Sequence, residues 1–266
     1  MSDLAWAQAG AVLSLWRYPV KSMMGEELST AQVAEHGLSG DRVYGLLDRS
    51  DGNVATAKNP RKWPTLFAFR AALIEPSASS STVPSLRITL PDGQVVTGEQ
   101  SDLNNVLSKA LNRDVTLAAA ERGQSAGVQS SVLASWTGKA EEYWPDLEGL
   151  DYRDTVTDFS LPAGTFFDCA TVHLLTTATL DRLRNFYPEG RFEVPRFRPN
   201  IVVEPVGTEP GFVENSWTGR TLAIGDDVRL SITGPCGRCV MTTLAQGVLP
   251  KDSGILRAAV QHNQSH

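Results

Sequence analysis

The chain has 266 residues, 41% of them hydrophobic and 20% charged, with a formal net charge of -6. That length accommodates one large or two medium domains of ordinary globular composition. The acidic balance argues against a general nucleic-acid binder, which needs a basic face to displace counterions, but it leaves room for a local anion pocket. Cys169, Cys236 and Cys239 are the only cysteines; so few, and an odd number, make no disulfide framework and suit a reducing compartment.

The opening "MSDLAWAQAGAVLSLW" is apolar but carries Asp3, lacks a basic start and runs directly into strand-like sequence, so it does not read as a signal peptide. No stretch approaches the roughly 20 apolar residues of a membrane span. The expectation is a soluble cytoplasmic protein without membrane contact. "AVLSLWRYPV" reads as a strand that stops at Pro19, whose ring removes a backbone donor. "RVYGLLD" and "NVATA" flank "RSDG", a hairpin signal, because Asp-Gly tolerates the positive φ of a tight turn. "LFAFRAALIE" follows, then "LRITL" and "QVVTG" around "PDG" as a second hairpin. The Ser- and Pro-rich run between them, 76–85, predicts a surface loop.

"SDLNNVLSKALN" predicts a helix capped by Ser101, with Leu103, Val106, Leu107, Ala110 and Leu111 forming an i, i+3, i+4 stripe. The small, polar stretch 121–131 is a reasonable divide, giving domains of 1–125 and 126–266. In the second, "VHLLTT" reads as a strand, "TATLDRLRNFY" as a helix and "NIVVEP" as a strand. "TLAIGDDVRLSITG" reads as two strands around Gly-Asp, and "GILRAAVQHN" as a short helix. Strands interleaved with few helices predict a β-rich α+β fold.

Several stretches carry potential chemistry. Cys236 and Cys239 form a C-x-x-C in "CGRC". A redox dithiol wants its first cysteine at a helix N-terminus, whereas β-branched Val240, Thr242 and Thr243 follow here. A structural zinc site needs four ligands, to be assembled from remote cysteines and from His36, His173, His262 and His266. Two small buried thiols remain the plain alternative. "GQSAG" at 123–127 matches G-x-S-x-G, but without the strand–turn–helix setting of a nucleophile elbow Ser125 reads as part of a Gly/Ser loop. "YPVKS", "DR" and "RFRPN" place cations at strand ends and turns. Were Lys21, Arg42, Lys58 and Arg198 to converge, with Arg196 nearby, they would form a phosphate or carboxylate pocket; taken singly, each fits a solvated salt bridge.

In order, "YPVKS", "GLSGDR", "TAKNPRKWP", "LLTTATL", "RFRPNIVV", "ENSWTGRTLAIGD" and "GRCVMTT" resemble the MOSC-domain family. The resemblance is to its branch with an N-terminal β-barrel domain, which holds the mitochondrial amidoxime-reducing components and their bacterial relatives. It implies an N-terminal β-barrel-like α+β domain packed on a MOSC β-barrel. Relatives continue past "GILRAAVQHN" with a closing strand, so a barrel short of its last strand is expected. The family's thiol is the one preceded by arginine, here Cys239, and the resemblance implies that it ligates the molybdenum of a pyranopterin cofactor. Lys21, Ser22 and Arg42 match positions that hold the pterin and its phosphate, and Thr176, Arg198 and Asn200 match further contacts. Lys58 stands where the mitochondrial members have arginine, keeping the charge without the fork. Arg238, beside the thiol, is placed to stabilise anionic charge. Cys236 is read as an incidental neighbour.

By the same resemblance the reaction is reduction of N-hydroxylated substrates by oxo transfer to molybdenum. Electrons would come from a separate ferredoxin- or cytochrome-like donor protein and its reductase, because a fused iron–sulfur domain needs four cysteines of its own. Two alternatives stand beside this: sulfur carriage through a Cys239 persulfide, and a non-catalytic module that binds the molybdenum cofactor.

Overall fold

A computed structural model describes residues 7–74, 85–120, 136–148, 153–207 and 209–263. The expected 76–85 loop falls almost wholly outside these residues, as do the 125/126 divide and the G-x-S-x-G at 123–127. The described residues are 19% helix and 31% strand, a β-rich α+β fold, and among them the strands close no barrel. Among the described residues no helix is long and apolar enough to cross a membrane.

The four-stranded sheet that carries much of the site draws on both halves of the chain. Its order is Leu174–Thr176, Ile201–Pro205, Gly10–Arg17 and Glu26–Leu28. Leu174–Thr176 runs parallel to Ile201–Pro205, which pairs antiparallel with Gly10–Arg17, with the register shifting between Val12 and Ser14. The first strand of the chain therefore lies beside a strand nearly two hundred residues later. Ile201, Val202 and Val203 are all buried, as expected of an unbroken β-branched run covered on both faces.

Tyr44–Asp48 also runs as a continuous buried strand. Its ladder partner is Val115–Ala119. The predicted partner "NVATA" contributes only the single bridge Leu47↔Val54, although Gly52 does close the turn at φ 73°. "LFAF" begins as a 3-10 turn, Leu66–Ala68, before the strand Arg70–Ile74. The "PDG" hairpin forms between Ser85–Thr89 and Val95–Thr97. A further antiparallel pair, Lys139–Trp144 with Thr155–Ser160, carries no apolar alternation to announce it, because "KAEEYW" is dominated by charge. The bridge Val54↔Ala140 ties that pair to the Tyr44–Asp48 region.

The predicted helix spans Leu103–Leu111 and buries Leu103 and Leu107. Its N-cap is Asp102, not Ser101, and Asp102 makes no side-chain cap bond; one carboxylate oxygen instead accepts from Gln100 Nε2 at 2.6 Å. Among the described residues three apolar clusters form the interior. The largest packs Val20, Met23, Tyr44 and Leu46 with Trp63, Phe69 and Leu117, and half-buried Cys239 lies against it. The second joins helices Thr177–Phe186 and Gly254–His262 through Leu180, Leu183, Ile255 and Ala258. The third brings Phe166 onto Leu47, Val54 and Ala140.

Candidate cofactor-binding site

The site starts where the strand Gly10–Arg17 ends. Pro19 has no N–H to continue a ladder, and the chain turns into Lys21 and Ser22. The turn is fastened to the segment before Tyr44: Arg42 N donates to Tyr18 O (2.9 Å), Tyr44 N to Pro19 O (3.0 Å) and Lys21 N to Tyr44 O (2.9 Å). Buried Asp41 accepts from Tyr18 N at 2.7 Å and pairs directly with the Arg42 guanidinium. "YPVKS" and "GDR", separate in sequence, are thus one local structure.

Among the described residues five non-glycine residues have positive φ, and three are predicted site residues: Ser22 (64°), Arg42 (49°) and Arg198 (53°). L-residues reach this region at a cost of order 1 kcal/mol or more each, and such backbone collects at functional sites. Arg198 takes it as the residue closing the short helix Val194–Phe197.

The basic side chains gather in two pairs. Arg42 and Arg198 share the ring of Tyr18, with guanidinium carbons 4.7 and 4.2 Å from its centroid. The ring's close approach to the backbone needs Gly25, where a Cβ would stand 2.5 Å from a Tyr18 ring carbon. Arg198 Nη1 donates to Met23 O at 2.6 Å, and Arg42 reaches Asn200 Oδ1 and Arg198 O, both at 3.4 Å. Asn200 Nδ2 donates to Trp16 O at 3.2 Å. Burial, and then Arg42 beside it, pull the Arg198 guanidinium down to about 10. Burial pushes the Tyr18 phenol up to about 12 against the opposing pull of both arginines.

The second pair is Lys21 and Lys58, which share Asp168. Lys21 Nζ contacts Asp168 directly and donates to Phe166 O at 3.0 Å; Lys58 Nζ lies 3.4 Å from the other Asp168 oxygen and 3.3 Å from Glu142. Gly45 makes this possible, since a Cβ there would strike the Phe166 ring at 2.5 Å. Burial works to raise the Asp168 carboxyl, but Lys21, Lys58 and Arg42 hold it well below the usual carboxylate range. Burial lowers the Lys21 ammonium, opposed by Asp168. Burial also works to lower Lys58, but Cys239, Asp168 and Glu142 hold it above its ordinary value.

Cys239 caps the 3-10 turn Val240–Thr243 and lines a shallow cleft with Glu142, Tyr143, Trp144 and Arg238. Burial pushes its thiol up, with Lys58 opposing. Arg238 donates to Phe197 O at 2.8 Å and to the sulfur of Cys236, not Cys239, at 3.1 Å. Ser22 is buried, with its hydroxyl 3.5 Å from that of Thr56. Thr176 is fully buried; its hydroxyl donates to Glu214 at 2.7 Å and accepts from Thr179 N at 3.2 Å as the N-cap of Thr177–Phe186. That hydroxyl is occupied in structural contacts. Arg196 is fully buried away from this cluster and holds four backbone carbonyls. Sequence reading passes over Tyr18, Asp41, Glu142 and Asp168, and weighs His173 only as one ligand of a remote zinc site. The signal available was only that a carboxylate must balance cations folded inside an acidic chain.

The arrangement suits an anionic, polyfunctional ligand. Lys21, Lys58, Arg42, Arg198 and Arg238 are matched by three carboxylates, Asp41, Glu142 and Asp168. Tyr18 Oη and Arg238 Nε are buried without a hydrogen-bond partner, a costly state that a bound ligand would relieve. Among the described residues no three His, Cys, Asp or Glu side chains are grouped to hold a metal by themselves. A metal here would need ligands from elsewhere besides Cys239.

Comparison with known proteins bears on this directly. A family profile described as "MOSC N-terminal beta barrel domain" matches residues 9–135, and one described as "MOSC domain" matches residues 162–265. The chain is 27% identical over 243 residues to mitochondrial amidoxime-reducing component 1 of Mus musculus, covering 89% of this chain and 66% of that protein. It is 26% identical to the Homo sapiens component 1 over 243 residues, covering 89% and 67%. It is 25% identical to component 2 of Rattus norvegicus over 261 residues, covering 94% and 69%. The chain spans about two thirds of the length of these relatives. With both profiles matched in order and these relatives aligned along most of its length, the chain belongs to the MOSC family, in the branch that pairs a MOSC N-terminal beta barrel domain with a MOSC domain.

Proposed function

We propose that the protein is a molybdenum-cofactor-dependent oxidoreductase that reduces N-hydroxylated substrates. The reading rests most on one observation: Lys58 and Arg238 flank Cys239, Asp168 and Tyr18 link Lys21, Arg42 and Arg198 into the same basic cluster, and two buried polar atoms there are left unpartnered. The names of the relatives, amidoxime-reducing components, point to the substrate class. In this proposal Cys239 supplies the protein's ligand to the metal, and a thiolate is the soft donor that chemistry favours. Lys21, Ser22, Arg42, Lys58, Arg198 and Asn200 hold the pterin and its phosphate, with Arg238 covering anionic charge beside the ligand. Thr176 contributes by fixing the end of its strand. When bound, the cofactor supplies the two-electron oxo-transfer chemistry.

The chain's own part is positioning. Cys239 is half-buried against the large core cluster, which limits water at its sulfur. Tyr18 offers a neutral hydroxyl up to high pH, so it can donate to a pterin acceptor. Electrons would reach the site from a separate donor protein and its reductase. Cofactor contacts would come from both proposed domains, 1–125 and 126–266. Persulfide carriage at Cys239 is the second reading and calls on the same thiolate.

The test is molybdenum and released pterin per chain, after purification from a host that makes the cofactor. Near-stoichiometric amounts of both, lost in Cys239→Ser, are the expected result. A folded protein that carries neither would overturn the reading.

A further inference from the structure

Cys236 is exposed, and it lies on a stretch of chain without helix or turn between the strand Val228–Ser231 and the Val240–Thr243 turn. Arg238 Nη1 donates to its sulfur at 3.1 Å and lies 3.4 Å from His173 Nε2. A guanidinium can only donate, so His173 Nε2 is the accepting nitrogen. The ring proton then sits on Nδ1, which faces Arg198 O at 3.4 Å. One tautomer satisfies both contacts.

The His173 backbone is fixed as well. Its N–H donates to Asn200 Oδ1 (3.1 Å), and its carbonyl accepts from Asn200 N (2.7 Å) and Ile201 N (3.2 Å). The sheet thus holds His173, while His173 and Phe197 O hold Arg238, which turns an N–H toward sulfur. Partial desolvation works to raise the Cys236 thiol, but the Arg238 guanidinium that donates to its sulfur overcomes it and pulls it down to about 5.

We propose that Cys236 is a modification site distinct from Cys239: a nucleophilic thiolate, poised by Arg238 and His173, that takes low-molecular-weight disulfides. The Cys236 thiolate attacks one sulfur of R–S–S–R. A new Sγ–S bond forms, the reagent's S–S bond breaks, and RS⁻ leaves and takes a proton from water. Cys236 is oxidised to a mixed disulfide, and one half of the reagent is reduced to thiol. The added group stands beside Arg238, which lines the cleft with Cys239, so modification narrows access to that cleft whether or not Cys239 carries a metal.

The experiment is site-resolved modification of the full chain by 5,5′-dithiobis(2-nitrobenzoate), with peptide mapping by mass spectrometry. Cys169, also exposed, is the internal comparator. The choice of pH matters, because a low-pKa thiolate is more abundant but intrinsically less nucleophilic. At pH 5.5 an ordinary thiol of pKa about 8.5 is only about 0.1% ionised, so abundance outweighs the lower basicity and leaves a net advantage of roughly tenfold or more. At pH 8.5 the advantage vanishes or reverses. The expected result is therefore Cys236 reacting at least tenfold faster than Cys169 at pH 5.5, with the ratio collapsing by pH 8.5. Arg238→Gln should abolish the low-pH advantage and Arg238→Lys should restore part of it. Equal rates at pH 5.5 would overturn the proposal, as would an advantage that survives in both Arg238→Gln and His173→Ala. Should those variants not fold, the wild-type ratio at the two pH values decides alone.

Discussion

Lys21 and Asp168 stand 147 positions apart in sequence and meet as a direct ion pair. The ammonium is 5% exposed and the carboxylate 40%, so the pair joins a buried cation to a counter-ion at the rim. It fastens the segment of Phe166 and Asp168 over the end of the first strand, where Lys21 also bonds Phe166 O. An anion entering the site would meet two ammonium groups already shared by one carboxylate.

Asp168→Asn should therefore destabilise the cofactor-free protein. Removing one partner of a buried pair leaves an uncompensated charge, and solvent at the exposed carboxylate reduces the loss to about 1–3 kcal/mol. The pH dependence follows from the depressed carboxyl. Its contribution is fully present above the unfolded value, about 3.9, and is lost as pH falls through the folded one. Urea melts between pH 7 and pH 3 should show a steeper decline below about pH 4 in the wild type than in the variant, which keeps only the share of other depressed carboxyls such as Asp48. Equal stability at pH 7 would mean that Lys21 needs no counter-ion.

Tyr18→Phe separates ligand binding from folding. The phenolic oxygen is buried without a partner among the described residues, so removing it should leave stability unchanged or raise it by about 1 kcal/mol. If the hydroxyl serves the pterin, the same change lowers pterin per chain. Thermal melts and pterin release on one preparation check both halves. A destabilised variant would mean that the hydroxyl has a structural partner.

Arg196→Met tests the support beneath Cys239. The guanidinium is fully buried and bonds the carbonyls of Arg191, Thr242, Leu244 and Pro250 at 2.8 to 3.2 Å. It thereby ties the turn that begins after Cys239 to the helix Val194–Phe197. Methionine fills similar volume but takes the donor from the carbonyls of Thr242, Leu244 and Pro250, while Arg191 O keeps Glu193 N, so a loss of about 3–5 kcal/mol is expected. Lysine should not rescue it, because one ammonium cannot span four carbonyls. A shift in melting temperature of only one or two degrees would show that water replaces the guanidinium freely.

The strands and helices with clean periodicity were legible, and so were the cations of "YPVKS", "DR" and "FRPN". Their conformations were not: nothing in the letters of Ser22, Arg42 or Arg198 announces a left-handed backbone, which tertiary contacts impose. Lys139–Trp144 was hidden because charged side chains mask a strand whose buried residue is Ala140. Asp168 could not be read, since a lone acid in "FFDC" has no period and its partners are remote. Spacing alone cannot show that Arg238 turns toward Cys236 and not toward Cys239.

Arg198 gives the sharpest test of the pterin site. Its guanidinium lies over Tyr18 at 4.2 Å and near Phe67 at 5.5 Å while Nη1 bonds Met23 O at 2.6 Å. These contacts fix the plane of the fork, leaving its remaining N–H groups preorganised for an anion. Arg198→Lys keeps the charge and loses the plane, and Arg198→Ala loses both. If a charge-assisted bond to the cofactor contributes roughly 1.5–3 kcal/mol, alanine should weaken pterin retention by about 10- to 100-fold, with lysine recovering only part of it. Pterin per chain after extended dialysis, with circular dichroism to confirm folding, reads this directly. Full retention in a folded Arg198→Ala protein would remove this arginine from the site and leave its left-handed backbone and twofold aromatic packing as purely structural.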